Sequence, residues 1–145
     1  MQIRFEGRDA HVILGYSPGE VRLRERRVTA SSLISAETIE DWPVRSMAEL
    51  DVAALDSMLA RKPELIIVAT SPQQFPAPAV LARALAARVG LEAMETGAAC
   101  RTYNVLVSEG RRVLLALIMD APAAGSEDPR AGPAGGSRSK ASAGP

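Results

Sequence analysis

The sequence predicts an α/β domain on three observations. Short continuous apolar runs, ELIIVAT at 64–70 and VLLALIM at 113–119, alternate with segments whose apolar residues recur at helical spacing. The links between these segments are short, which implies strand–helix–strand units with right-handed crossovers and parallel neighbours. The first third carries turn residues and alternating apolar and charged positions instead. It adds an N-terminal β portion to the same sheet or beside it.

Taken in order, Tyr16-Ser17-Pro18-Gly19 sets Pro before Gly as a type II turn favours, and Val21 and Leu23 then alternate with Arg22 and Arg24 as in a half-exposed strand. Arg26 and Arg27 extend this into a basic cluster, but Glu20 and Glu25 interleave with it, so a solvated strand is the reading and no function is assigned. VTASSLIS, 28–35, is expected to pair with that strand before the chain reaches Trp42 and Pro43. Ser46-Met47-Ala48-Glu49 reads as a capping box that opens a helix. Leu50, Ala54 and Met58, beside Leu55 and Leu59, give it one apolar stripe, and Lys62-Pro63 stops it.

Residues 64–70 form a central strand. Pro78 suits the first turn of a second helix, with Val80, Leu81, Ala84, Leu85 and Val89 on its buried face and Gly90 as its C-terminal cap. A short strand at 91–94 leads to a third helix over 96–108 closing at Gly110, then to a last buried strand at 113–119.

At 145 residues and 47% hydrophobic, the chain has material for one packed domain, assigned to residues 1–120. Residues 121–145 are dominated by Ala, Gly, Pro and Ser and lack Leu, Ile, Val and aromatics, so they cannot offset their ordering entropy and read as a disordered tail. Lys+Arg and Asp+Glu both number 17, so no bulk charge draws the chain to nucleic acid or an anionic membrane. One cysteine, Cys100, can neither close an internal disulfide nor build a cysteine zinc site, which suits the cytoplasm. The N-terminus lacks the pattern of a signal peptide, and the apolar runs are far below the roughly 20 residues of a membrane helix, so no integral membrane segment is expected. An Arg-rich, Lys-poor, Ala-rich composition suits a bacterial source.

In an open parallel sheet, ligands occupy the crevice at the carboxyl ends of the strands. That edge would carry Thr70, Ser71, Gln73 and Gln74 after one strand, and Glu95, Thr96 and Gly97 after another, with Thr96 capping the third helix. Thr70, Ser71, Glu95, Thr96, Arg101 and Asn104 are therefore the candidate ligand-binding residues, for an anion at the helix N-terminus. Against that ligand stand the lack of a glycine-rich phosphate loop and the charge of Glu95 itself.

Arg101 and Glu109 would lie about 12 Å apart along a helix, too far to share one reaction centre. Glu109 with Arg111 or Arg112 reads as an ion pair joining the helix end to the next strand. Ala99, Tyr103 and Leu106 should face the core, with the Tyr103 hydroxyl needing a partner. Cys100 as a nucleophile would want a base, yet the only histidine, His11, is remote in sequence. His11 alone is no metal site. The residues name no catalytic group, metal or cofactor.

ELIIVAT, SSLISAETIEDWPV and above all the block from Glu92 to Arg112 carry a resemblance. Its Glu-x-Met-x-Thr start, Ala-Ala-x-Arg-Thr-Tyr-Asn-x-Leu centre and Glu-x-Arg end are the most specific elements. The chain resembles, from about Ile3 to Ile118, a small α/β family of unknown biochemical function that includes the mitochondrial respiratory complex I assembly factor 3 and an adipogenesis-associated cytosolic protein. The resemblance implies a three-layer fold with a central mixed sheet flanked by helices. It also marks Trp42, Thr96, Arg101, Thr102, Tyr103, Asn104, Glu109 and Arg111 or Arg112 as signature positions. Family members commonly have Gly-Thr-Gly where this chain has Ala69-Thr70-Ser71, and side chains there restrict close backbone approach by a ligand. The function so implied is that of a non-catalytic accessory or assembly-type protein acting through protein partners, with a homo-oligomer left open. The alternative is a small-molecule binding protein or minor enzyme using the crevice.

Overall fold

Pro18 and Gly19 turn the chain as their order requires, with Gly19 at φ 78, a conformation that costs a glycine little. This joins β1 (Ile13–Ser17) to β2 (Glu20–Leu23), and β3 (Arg27–Val28) completes a three-stranded antiparallel sheet in the order β1-β2-β3. The computed structural model describes residues 10–119; the expected tail at 121–145 lies outside them, as do residues 1–9 and Asp120.

The expected pairing of 28–35 with β2 holds only for Val28, opposite Val21. The rest of that run crosses to a second sheet, where β4 (Ser32–Ile34) pairs antiparallel with β5 (Ile39–Asp41) and with β8 (Val113–Leu117). Ser32, Leu33 and Ile34 are all buried there, with the Ser32 hydroxyl bonded to the Ala30 carbonyl at 2.9 Å, a burial that a strand finds between two neighbours but not on a half-exposed hairpin. With β6 (Leu65–Thr70) and β7 (Gly90–Glu95), both parallel to the strands they adjoin, the second sheet has the order β5-β4-β8-β6-β7 and is mixed.

Ser46-Met47-Ala48-Glu49 does not open the first helix. It forms a single 3-10 turn in which Ser46 makes no side-chain cap, and the Glu49 carboxylate reaches past it to accept from the Arg45 N–H at 2.7 Å. α1 (Val52–Leu59) is capped instead by Asp51, whose carboxylate accepts from the Ala54 N–H at 2.9 Å. α2 (Pro78–Ala86) begins on Pro78, as expected. Its stop is not Gly90 but Arg88, left-handed at φ 62, with the Val89 N–H bonded to the Ala84 carbonyl and the Arg88 N–H to that of Leu85. α3 (Thr96–Ser108) ends in the same motif with Gly110 at φ 79.

The central strands serve two cores. Ile66 and Val68 of β6 and Leu114 and Ala116 of β8 face α1 and α2, while Ile67, Ala69, Leu115 and Leu117 face α3 and the three-stranded sheet. Trp42 is buried on the α1/α2 side. α2 and α3 lie on opposite faces, as right-handed crossovers running first outward to β7 and then back to β8 require. α2 buries only Val80 and Ala84; Leu81 and Leu85, expected inside, are 42% and 78% exposed. β7 is the sheet's last strand, so among the described residues the far flank of α2 has nothing to pack on.

Candidate functional site

Parallel pairing of β6 and β7 sets Thr70 opposite Glu95, so the two carboxyl ends meet at one edge. The Ser71 hydroxyl lies 2.9 Å from Glu95 Oε2 and 2.9 Å from Thr96 Oγ1. Glu95, not Thr96, is the N-cap of α3, its Oε1 accepting from the Gly97 N–H at 2.9 Å; Thr96 is the first helical residue and points its hydroxyl at Ser71. A glutamate can loop back here because the strand runs straight into the helix. The Ser71 hydroxyl, then the Gly97 and Ala98 N–H groups and Arg101, hold the Glu95 carboxyl below its ordinary range against a smaller opposing effect of burial. Thr70 Oγ1, itself buried, accepts from the Gln74 N–H at 2.9 Å and so fixes the loop after β6.

The β1–β2 hairpin forms the opposite wall. The Tyr16 ring lies against Gly97, where an added Cβ would come within 2.9 Å of it, and the Tyr16 hydroxyl accepts from Arg101 Nη1. Between hairpin and sheet edge lies a cleft of about 550 Å³ that Thr70, Ser71, Glu95 and Thr96 all line. The other two candidates do different work. Arg101 is held on Tyr16, its guanidinium 6.0 Å from the ring centroid, and Asn104 grips the backbone of Ile13 with both ends of its amide. Sequence reasoning missed Tyr16, Ser17 and Ser46 as cleft residues. The only hint was Gly97 in a first helical turn, where little but close packing calls for glycine.

The anion expected at the α3 N-terminus meets a poor match. The helix's first free N–H donor is already taken by the chain's own carboxylate, and among the described residues that carboxylate is the only charged side chain lining the cleft.

Of the signature positions, Tyr103 is buried and its hydroxyl finds the His11 carbonyl at 2.7 Å, while Thr102 is half-buried. The expected pairing of Glu109 with Arg111 or Arg112 is not made. Glu64 takes both arginines, Arg111 Nε at 3.2 Å and Arg112 Nη1 at 3.4 Å, because the chain before β6 runs beside the start of β8. Among the described residues Glu109 has no ion pair. Both arginines line a second cleft of about 720 Å³ at the amino end of the sheet, with His11, Glu37 and the Arg61–Glu40 pair.

The fold brings His11 beside α3 after all, yet its ring turns to Glu25, with Nδ1 3.2 Å from Oε1. Cys100 faces the core, where burial, followed by the charge of Glu95, pushes its thiol up to about 11. The two do not form a nucleophile and base. Among the described residues no group of His, Cys, Asp and Glu could hold a metal ion, and no helix is long and apolar enough to cross a membrane.

A mixed sheet covered by two helices on one face and by a helix and a hairpin sheet on the other defines a small α/β domain with a cleft at its carboxyl edge. Residues 13–118 match a family described as a protein of unknown function (DUF498/DUF598), and the chain belongs to that family. A Xanthomonas campestris protein solved by NMR is 40% identical, with 75% of this chain and 84% of that one covered and a TM-score of 0.70. A Bordetella pertussis protein described as an Mth938-like domain is 27% identical over 77% of this chain and 88% of that one, with a TM-score of 0.66. A Francisella tularensis protein named a 13 kDa major membrane protein is 37% identical over 65 residues, 44% of this chain; the chain spans about half, 53%, of that relative's length.

Proposed function

We propose that the chain is a non-catalytic accessory protein of the cytoplasm that acts by binding another protein, of the assembly type its resemblance to the respiratory complex I assembly factor implies. The observation that carries this reading is the outward face of α2 together with the loop that leads into it. Phe75, Leu81 and Leu85 are 69%, 42% and 78% exposed, and Ala79, Ala82 and Ala86 beside them are exposed as well. From Phe75 to Leu91 the only charged residues are Arg83, engaged with Asp56 on α1 at 2.9 Å, and Arg88. An exposed helix with so little polar surface is an unpartnered contact face. The membrane-protein name of the Francisella relative supports a partner within a membrane complex.

Leu85→Glu tests the reading without touching either core. Crosslinked partners captured on the wild-type chain from its own cells should be lost from the variant while its melting temperature stays within a few degrees. The same catch with both chains would refute it.

A further inference from the structure

A second feature stands apart from the α2 face and does not depend on it. We propose that the cleft between the β1–β2 hairpin and the carboxyl edge of the five-stranded sheet takes a small molecule bearing an ammonium group on a short hydrocarbon, bound through Glu95, Ser71 and Thr96. Charge is the first argument. Among the described residues that line the cleft Glu95 alone carries a charge, and Arg101, further along α3, donates to Tyr16. A cation entering the cleft therefore meets a carboxylate that has no ion-pair partner among the described residues, whereas an anion meets a like charge and a helix end already capped.

Hydrogen-bond counting gives the second argument. Ser71 gives its one proton to Glu95 Oε2 at 2.9 Å and can accept that of Thr96, whose Oγ1 is also 2.9 Å away, so both hydroxyl protons are used within the trio. Oε2 makes one bond to the protein and retains a further lone pair, as does the Thr96 hydroxyl. The trio is thus rich in acceptors and short of donors. An ammonium group offers three donors and no acceptor, which is the complement of that set.

The remaining lining sets the rest of the ligand. Pro18, Ile118 and Met119 supply apolar wall, and the volume of about 550 Å³ is in the range of small-metabolite sites. Tyr16, braced on Gly97, closes the side opposite Glu95's strand without contributing a charge.

Titration of the 15N-labelled chain with n-butylammonium chloride, and in parallel with inorganic phosphate and with glycerol, tests the proposal by amide shifts. Saturable shifts at Ser71, Glu95, Thr96 and Gly97 with butylammonium, and none with phosphate or glycerol, are expected. Glu95→Gln should weaken butylammonium binding by at least about tenfold. Because that change also touches the α3 cap, Thr96→Val provides a second variant that keeps cap and charge and removes one acceptor; it should weaken binding by roughly threefold or more. Leu85→Glu should leave the titration unchanged, which separates this site from the α2 face. Saturable phosphate shifts at these residues, butylammonium shifts no larger than those of glycerol, or undiminished binding in both cleft variants would overturn the assignment.

Discussion

Asn104 holds both backbone groups of Ile13: its Oδ1 accepts from the Ile13 N–H at 2.8 Å and its Nδ2 donates to the Ile13 carbonyl at 2.8 Å. The amide thereby acts as a one-residue strand on the free edge of β1. Asn104→Ala leaves both partly buried backbone groups without partners and is expected to cost roughly 1–3 kcal/mol. Asn104→Asp should not rescue it, since the carbonyl needs a donor. Urea unfolding followed by circular dichroism measures both.

The thiol of Cys100 should be inert at neutral pH. With its proton held up to about 11 by burial, native protein should resist iodoacetamide and react only after unfolding, as mass spectrometry would record. The raised value also carries a pH dependence. Above the unfolded thiol's ordinary value the unfolded chain releases the proton while the folded chain keeps it, so stability is full below about pH 8.5 and falls as pH rises toward 11. Cys100→Ala should flatten that part of the melting-temperature profile.

Arg88 occupies a left-handed position that Gly110 fills after α3. An L side chain there costs about 1–2 kcal/mol, of which the extra freedom of glycine in the unfolded chain returns a part. Arg88→Gly is therefore expected to stabilise the fold by about 0.5–1 kcal/mol, read as a rise in the urea midpoint. A fall would mean that the guanidinium makes a compensating contact.

Gly97→Ala sets helix propensity against packing. Alanine favours a helix by about 1 kcal/mol over glycine, yet its Cβ would stand 2.9 Å from Tyr16 Cε1 and 3.0 Å from the hydroxyl oxygen. The single variant should lose stability and displace the hairpin, visible in the Tyr16 resonances. On a Tyr16→Ala background the same change should become stabilising, a reversal that a double-mutant cycle measures directly.

What could be foreseen from the chain divides along a physical line. Strands β6 and β8 and helix α3 were legible to within a residue or two, because a strand buried on both faces is a continuous apolar run and a long helix repeats its period several times. Ser46 misled because a capping box describes one turn of backbone, and that turn is indifferent to whether it continues; Asp51, five residues on, was the true start. Leu81 and Leu85 misled because periodicity reports which residues are apolar, not whether a neighbour exists to cover them. At the cleft, Thr70, Ser71, Glu95 and Thr96 followed from the strand ends, whereas Tyr16 did not, since its approach to Gly97 is a tertiary contact between residues 81 positions apart. The redirection of Asn104 to Ile13 has the same origin.

β8, last in sequence among the described strands, lies between β4 and β6 and sends alternate side chains into both cores. A nascent chain therefore holds two unfinished half-sheets, β4–β5 and β6–β7, with no surface on which to join until residues 113–117 clear the ribosome. Assembly of the domain is in this sense a single late event, and a chain stalled before Val113 holds both halves with their apolar faces bare to chaperones and proteases.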